Sequence, residues 1–457
     1  MYGAQSRWPL TPQAVAAVGA ALMLALALAV AVTRYPPPGL PLLLVGGCAL
    51  IGLVLLTLAR YEAAVFLGFL LLGAVRFEPA PPDLVFGVVI AIAAVTGRFS
   101  LEHTPLAIGA VLGAFVALNL VSATEVVDPA EAGIFFSVTL YLAVFAVWLT
   151  GYVNSESRAR GIVVAYLIAA VVSTVAGVAA LLLPLPGREL LLYEGGERVQ
   201  ALFKDANVFG PFLIPIALIV LEEIVRPRLL AIRVWLKGLI FFTLALGVLF
   251  SYSRAAWGSL ALGVFAMLLV TVPRPGGVRR TVFLLSLLLA AGAAAVVVLT
   301  ATGSVEFFDQ RAGLQAYDTA RFAAQETGVE LAREHPFGIG PGQFGIAAQL
   351  DAHSLYVRSF AEQGYLGLVT VGALMLVTLL MAGRNALTGR DTYGIGSAAL
   401  FGSWCGLMLN SFFVDTLHWR HLWVVAALIW AGSQVSATTA WRGGPYRSTV
   451  IGGRSLT

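Results

Sequence analysis

Of the 457 residues, 59% are hydrophobic and only 11% charged, where a soluble protein carries about 25% charged residues. Twenty-eight Lys and Arg against 24 Asp and Glu leave a formal charge of +4, too small a surplus to argue for a nucleic-acid partner. These figures exclude a water-soluble enzyme and point to an all-α polytopic membrane protein, because helices bond their own backbone amides inside hydrocarbon.

A spanning helix needs about 20 mostly apolar residues. About fourteen such runs follow one another, at 13–33, 39–58, 61–76, 83–97, 104–121, 133–152, 160–183, 206–224, 234–250, 255–272, 281–300, 355–382, 394–412 and 420–437. The first has a basic flank, Arg7, as a signal peptide would. It is long, however, and Tyr35-Pro36-Pro37-Pro38 follows it without a small-residue cleavage site, so it reads as an uncleaved helix. Cys48 and Cys405 fall inside apolar runs with no CxxC spacing and read as small hydrophobes.

With the N-terminus inside, most Lys and Arg fall in cytoplasmic loops and most acids outside, including Glu125, Asp128 and Glu131. Both termini are therefore expected in the cytoplasm. Residues 1–300 make transmembrane helices 1–11, residues 301–353 one large helical extracytoplasmic loop before the twelfth helix, residues 354–440 helices 12–14, and 441–457 a cytoplasmic tail. Helical sequence runs from Ala312 to Glu334 inside the loop. A loop of that length suggests a lid or binding element.

Polar residues at the expected outer helix ends form three clusters. Arg198, Lys204, Asp205 and Asn207 lead into the eighth helix. Ser251-Tyr252-Ser253-Arg254 makes the tight turn between the ninth and tenth. His335-Pro336, Gly338-Ile339-Gly340-Pro341-Gly342 and Asp351-Ala352-His353-Ser354-Leu355-Tyr356 close the long loop. A single interfacial cation usually snorkels to headgroups. Arg254 fits that poorly, since a turn of two or three residues rings it with protein. The glycine run suits a hinge and lacks the Lys-Ser/Thr of a phosphate loop. His418 and His421 have metal-like spacing but no third ligand nearby. No metal and no cofactor are expected.

Several cations and backbone amides without a metal describe a cradle for an anion such as diphosphate. The helix start at Asn207 would lend its free amides. His353, largely neutral at pH 7, is a candidate base for an attacking hydroxyl, and on a helix it shares a face with Tyr356, Val357 and Phe360.

The run Phe203-Lys204-Asp205-Ala206-Asn207-Val208-Phe209-Gly210, the Ser253-Arg254 turn, Gly338 to Gly342, and His353-Ser354-Leu355-Tyr356 with Glu362-Gln363-Gly364-Tyr365-Leu366-Gly367 resemble the O-antigen ligase and polymerase family. The resemblance covers roughly residues 198–367. It implies a GT-C-like glycosyltransferase of the bacterial plasma (inner) membrane that needs no metal. The enzyme would take a glycan from an undecaprenyl-diphosphate carrier on the extracytoplasmic face and pass it to an acceptor hydroxyl. Its partners would be the lipid-linked oligosaccharide donor, a glycan, lipid or protein acceptor, and membrane lipids. His353 aligns with the family's proposed catalytic histidine and Arg254 with an arginine thought to bind the diphosphate. Arg198 and Arg321 match more loosely, as basic residues flanking the donor site. Many members have Asn after the histidine and Pro before the Asn of the second motif, where this chain has Ser354 and Ala206. The His353-Ser354 pair and the Phe203-Lys204-Asp205 run incline the reading from ligase towards polymerase. The competing expectation is a transporter or flippase of lipid-linked sugar, which would need charged groups along a mid-membrane path.

Overall fold

Thirteen of the fourteen apolar runs contain a helix in the computed structural model, which describes residues 40–77, 79–193, 196–313 and 316–435, the side chains of 40–45 and 316–317 aside. The run at 13–33 and the tail at 441–457 lie outside the described residues. The helices are α1 (Leu40–Ala59), α2 (Tyr61–Leu70), α3 (Pro81–Val95), α4 (Leu106–Ser122), α5 (Pro129–Tyr152), α6 (Glu156–Leu182), α7 (Ala206–Val225), α8 (Val234–Phe250), α9 (Arg254–Thr271), α10 (Gly277–Ala301), α11 (Val305–Ala312), α12 (Ala316–Glu334), α13 (Phe344–Ala348), α14 (Leu355–Thr388), α15 (Ser397–Asn410) and α16 (Arg420–Gln434). Seven of them are long and apolar enough to cross a membrane, among them α5, α6, α7, α9, α10 and α14. α10 turns Val282, Phe283, Leu289 and Val297 outward, as a helix facing lipid would.

The hub is α7, buried along nearly its whole length. Pro211 and Pro215 remove two amides from its ladder, and Tyr166 on α6 donates to the Phe212 carbonyl in that stretch at 2.6 Å. Small residues set the tightest crossings. A side chain on Gly402 of α15 would run into the backbone of Gly263 on α9.

Buried ion pairs tie the far end of α7 to its neighbours. Arg226 bridges Glu222 (2.8 Å) and Asp391 (3.0 Å), and Lys237 meets Glu223 at 2.9 Å with its chain 1% exposed. Arg and Lys at helix ends, read from sequence as loop charges, here hold the helix ends together.

At the other end of α7 the chain carries a two-stranded hairpin, β1 (Leu192–Tyr193) with β2 (Arg198–Val199), and the helical segment α11 to α13. The sequence places one helix from Ala312 to Glu334. The structure instead ends α11 at Ala312 and starts α12 at Ala316, with Gly313 leaving the helix in an extended conformation.

Candidate active site

The site is built on the turn between α8 and α9. Ser253 caps α9, its Oγ accepting from the Ala256 amide at 3.4 Å. The residue after it, Arg254, therefore leaves the first turn towards the loop helices. α7 reaches this turn because Gly210 has no side chain; a Cβ there would lie 2.6 Å from Ser251 Oγ. Arg198 braces the same turn from the hairpin, donating from Nε to the Ser251 carbonyl (3.0 Å) and from Nη2 to Asn207 Oδ1 (3.1 Å).

Above the turn lies a cavity of about 280 Å³. Arg254, Arg311 and Arg321 line it against a single carboxylate, Asp318, with Asn207, Ser253 and Gln325 as neutral polar groups and Phe322, Leu409, Phe413 and Val414 as an apolar wall. Phe322 and Phe413 are themselves about half exposed. Positive groups beside an apolar, open wall suit an anion that carries a hydrocarbon tail. Arg254 is already engaged. Its Nη2 donates to both Asp318 oxygens (2.6 and 2.7 Å) and its Nη1 to the Gly313 carbonyl (2.7 Å), so the loop segment is pinned over the turn.

His353 stands beside this cavity rather than in its wall. Gln325, which lines the cavity, donates to the His353 carbonyl at 3.4 Å. Burial lowers the imidazole's pKa from its ordinary 6.5, and the charge of Arg321 pushes the same way, while Asp351 and Asp205 pull it back. The neutral ring that a base requires is thus favoured. The expectation that His353 shares a helix face with Tyr356, Val357 and Phe360 is corrected. α14 begins at Leu355 with Ser354 as its cap, and His353 precedes the cap at φ +45°, in the left-handed region. Such a conformation costs a non-glycine residue energy that surrounding contacts must offset. Here Leu355 N bonds the Ser411 carbonyl at 2.9 Å and Ser354 Oγ accepts from Val357 N at 3.4 Å.

The remaining candidate residues separate. Arg254, Arg321 and Asn207 share the cavity. Arg198 is 8% exposed and acts as a strut. Asp205 caps α7, its Oδ1 accepting the Asn207 amide at 2.8 Å, so that amide is spent within the protein and does not serve a ligand. Tyr252 is buried in the turn, its ring 4.6 Å from Phe307, and burial raises its phenol pKa. Tyr356 packs on Phe412 at 4.5 Å and donates to the Met408 carbonyl at 3.4 Å. Lys204 faces a second cavity, with His418 and His421.

The glycine run docks on a break in α14. Gly364 adopts φ 70°, ψ −162°, which frees the Ala361 and Glu362 carbonyls; these accept from Ile339 and Gly340 at 3.0 Å each. Gly338, at φ +87°, lies so close to the Glu362 carbonyl that no side chain fits. The run is a docking strip, not a hinge. Beneath it sits a group that sequence reasoning passed over. Arg358 binds Asp351 (2.6 Å), Asp415 (2.7 Å) and the fully buried Glu362 (3.0 Å). The signal was available as an Arg and a Glu four residues apart in an apolar helix. Gln343 completes the frame, its Oε1 accepting from the Val127 and Asp128 amides at 3.0 and 2.8 Å. Among the described residues no cluster of three or more His, Cys, Asp or Glu could hold a metal.

Residues 239–372, under a third of the chain, match the family described as O-antigen ligase. This segment is an O-antigen ligase family domain. It takes in the Arg254 turn, Asp318, Arg321, the glycine strip, His353 and Arg358, whereas α7 and α15, which close the cavity, lie outside it. No curated protein matches the chain. With its apolar helices, the O-antigen ligase domain makes the chain a multi-pass membrane protein. The two departures from the resemblance fall at helix starts. Ser354 caps α14, as Asn would, and Ala206 is the first residue of α7, where Pro is well tolerated. Either residue type does the same structural work, so neither position speaks for one acceptor over another.

Proposed function

We propose that the chain transfers a glycan from an undecaprenyl-diphosphate-linked donor to an acceptor hydroxyl, as a polysaccharide polymerase or ligase. On this reading both termini are cytoplasmic, about fourteen helices cross the bacterial plasma membrane, and the Arg254 cavity opens on the extracytoplasmic face. The observation that carries the proposal is the cavity in which three guanidinium groups meet an apolar, exposed wall next to His353.

Arg254 and Arg321, with Arg311, hold the diphosphate. Arg254 exchanges its Nη2 contacts with Asp318 for a fork on phosphate oxygens. The tail runs along Phe322 and Phe413. The lowered pKa leaves His353 neutral at pH 7, so it accepts the proton of the acceptor hydroxyl as that oxygen attacks the anomeric carbon. The bond from that carbon to the diphosphate oxygen breaks, and the arginines stabilise the leaving charge. A transporter reading fares worse. Buried charges gather towards the ends, at Glu222 and Glu223 near the close of α7 and at Arg358 and Glu362 in the first turns of α14. The test is transfer by the purified chain from a lipid-linked oligosaccharide in EDTA. Product that vanishes in EDTA, or that Arg254→Ala leaves undiminished, refutes the proposal.

A further inference from the structure

Among the described residues, the hydrogen bond that His353 makes is through its carbonyl, to Gln325, and none reaches its ring nitrogens. A base whose ring has no orienting partner is aimed by the backbone that carries it. That backbone enters the left-handed region twice within five residues, at Gln349 (φ +54°) and His353 (φ +45°). Such conformations persist in non-glycine residues only where the surroundings over-determine them. Downstream of the ring, Leu355 N is bonded to the Ser411 carbonyl, and just upstream Ala352 packs fully buried in one cluster with Phe344 and Ala361. The remaining tie is Asp351, whose Oδ1 accepts from Arg358 Nη2 at 2.6 Å.

Arg358 is itself fixed before it reaches Asp351. Its Nη1 donates to Glu362 Oε1 at 3.0 Å, Asp415 Oδ2 lies 2.7 Å from its Nε, and the Phe135 ring faces the guanidinium at 5.2 Å. Both of those carboxylates are anchored in turn. Glu362, fully buried, accepts the Phe344 amide at 3.3 Å, and Asp415 accepts the Leu417 amide at 3.0 Å. They set the plane of the guanidinium, so its last arm, Nη2, has one direction in which to point. Asp415 follows directly on Phe413 and Val414, which wall the Arg254 cavity. One guanidinium therefore joins the cavity wall to the segment that carries the imidazole.

We infer that Arg358, acting through Asp351, is the positioning group for His353 and sets where the imidazole stands relative to the Arg254 cavity without touching substrate. The inference rests on the proposed transfer reaction for its meaning. Asp351 also acts on His353 by charge, as Arg321, Asp205 and Arg358 do. Tie and charge can be separated, because Asn keeps an acceptor for Nη2 and loses only the charge, whereas Ala loses both. Arg358→Ala would strand the buried Glu362 and threaten folding. Asp351, with its side chain 65% exposed, can be replaced without that cost.

The test uses the purified full-length chain in nanodiscs. Single-turnover transfer from a lipid-linked oligosaccharide is followed on the alkaline plateau, where the ring is neutral in every variant. Asp351→Ala lowers that rate at least about fivefold, since a small misplacement of a reacting group is costly. Asp351→Asn runs at least about threefold faster than Asp351→Ala, because the tie is kept. Farnesyl diphosphate, a short stand-in for the donor head, binds all three proteins within about twofold, as expected for a site that the tie does not touch. At pH 8, diethylpyrocarbonate modifies His353 faster in Asp351→Ala than in the other two, read by mass spectrometry of the peptide that carries it. A smaller fall in Asp351→Ala, an Asn variant no faster than the Ala variant, a matching loss of farnesyl diphosphate binding, or equal modification of His353 in all three overturns the inference. A wild type that makes no product but shows the modification contrast leaves the tie standing and removes the transfer reading instead.

Discussion

Asp318 competes with the donor for Arg254, and replacing it by Asn should tighten donor binding. In the structure both Asp318 oxygens lie 2.6 and 2.7 Å from Arg254 Nη2, with the Arg side chain 27% exposed and the Asp 11%. An exposed pair is worth about 0.2–1 kcal/mol, and breaking a fully buried one costs about 3–5 kcal/mol. This half-buried pair falls between; allowing for solvent screening, about 1–2 kcal/mol must be given up when a diphosphate takes the carboxylate's place. Asn keeps the shape and one acceptor but not the charge, so Asp318→Asn should lower the donor KM about 5- to 30-fold, at about 1.4 kcal/mol per factor of ten. Initial rates against lipid-linked donor at saturating acceptor, with kcat fitted separately, measure this. A donor KM that is unchanged or raised would mean that the Arg254–Asp318 pair persists in the working enzyme and that Arg254 only anchors the loop.

Arg254→Lys keeps the charge and loses the fork, so it should retain part of the transfer activity that Arg254→Ala loses, read as kcat/KM for donor. The depressed His353 pKa gives a signed pH prediction. The base form is present above the folded-state pKa and is lost as pH falls through it, so the acid limb of the rate profile lies below 6.5. Arg321→Gln removes a lowering charge and should move that limb up towards 6.5, whereas Asp351→Asn removes a raising one and should move it down. Gly338→Ala combines a left-handed backbone with a clash on the Glu362 carbonyl and should destabilise the protein by about 2–4 kcal/mol. Gly97→Ala, left-handed but facing open space, should cost about 1 kcal/mol; thermal unfolding in detergent compares the two.

The helices were legible because an apolar run of spanning length has few alternatives in a membrane protein, and α4 to α10 fall where the runs predict. The grouping of the Arg254 turn, Asn207 and Arg321 was legible too, since polar residues at helix ends of one parity meet at one end of a bundle. What the sequence hides is pairing across long separations. Asp318 reads as one more solvated acid on the loop helix, yet it is 64 positions from the arginine it grips. Arg420 and Asp83 are further apart still. Direction is hidden as well. Lys204 and Asn207 are three residues apart, but only α7's packing shows that they face different cavities. Tyr252 looks like an interfacial aromatic until the loop helix α11 is seen to bury it.

The central claim is that one imidazole beside an arginine-lined cavity takes the proton of the attacking hydroxyl. Single-turnover transfer from a lipid-linked oligosaccharide by purified His353→Ala tests it most directly, with donor binding measured on the same preparation. The account predicts a rate lower by about 10²- to 10⁴-fold, the usual worth of a general base, with donor affinity within a few-fold of wild type. A deficit below tenfold, or a loss wholly explained by weakened donor binding, would contradict it.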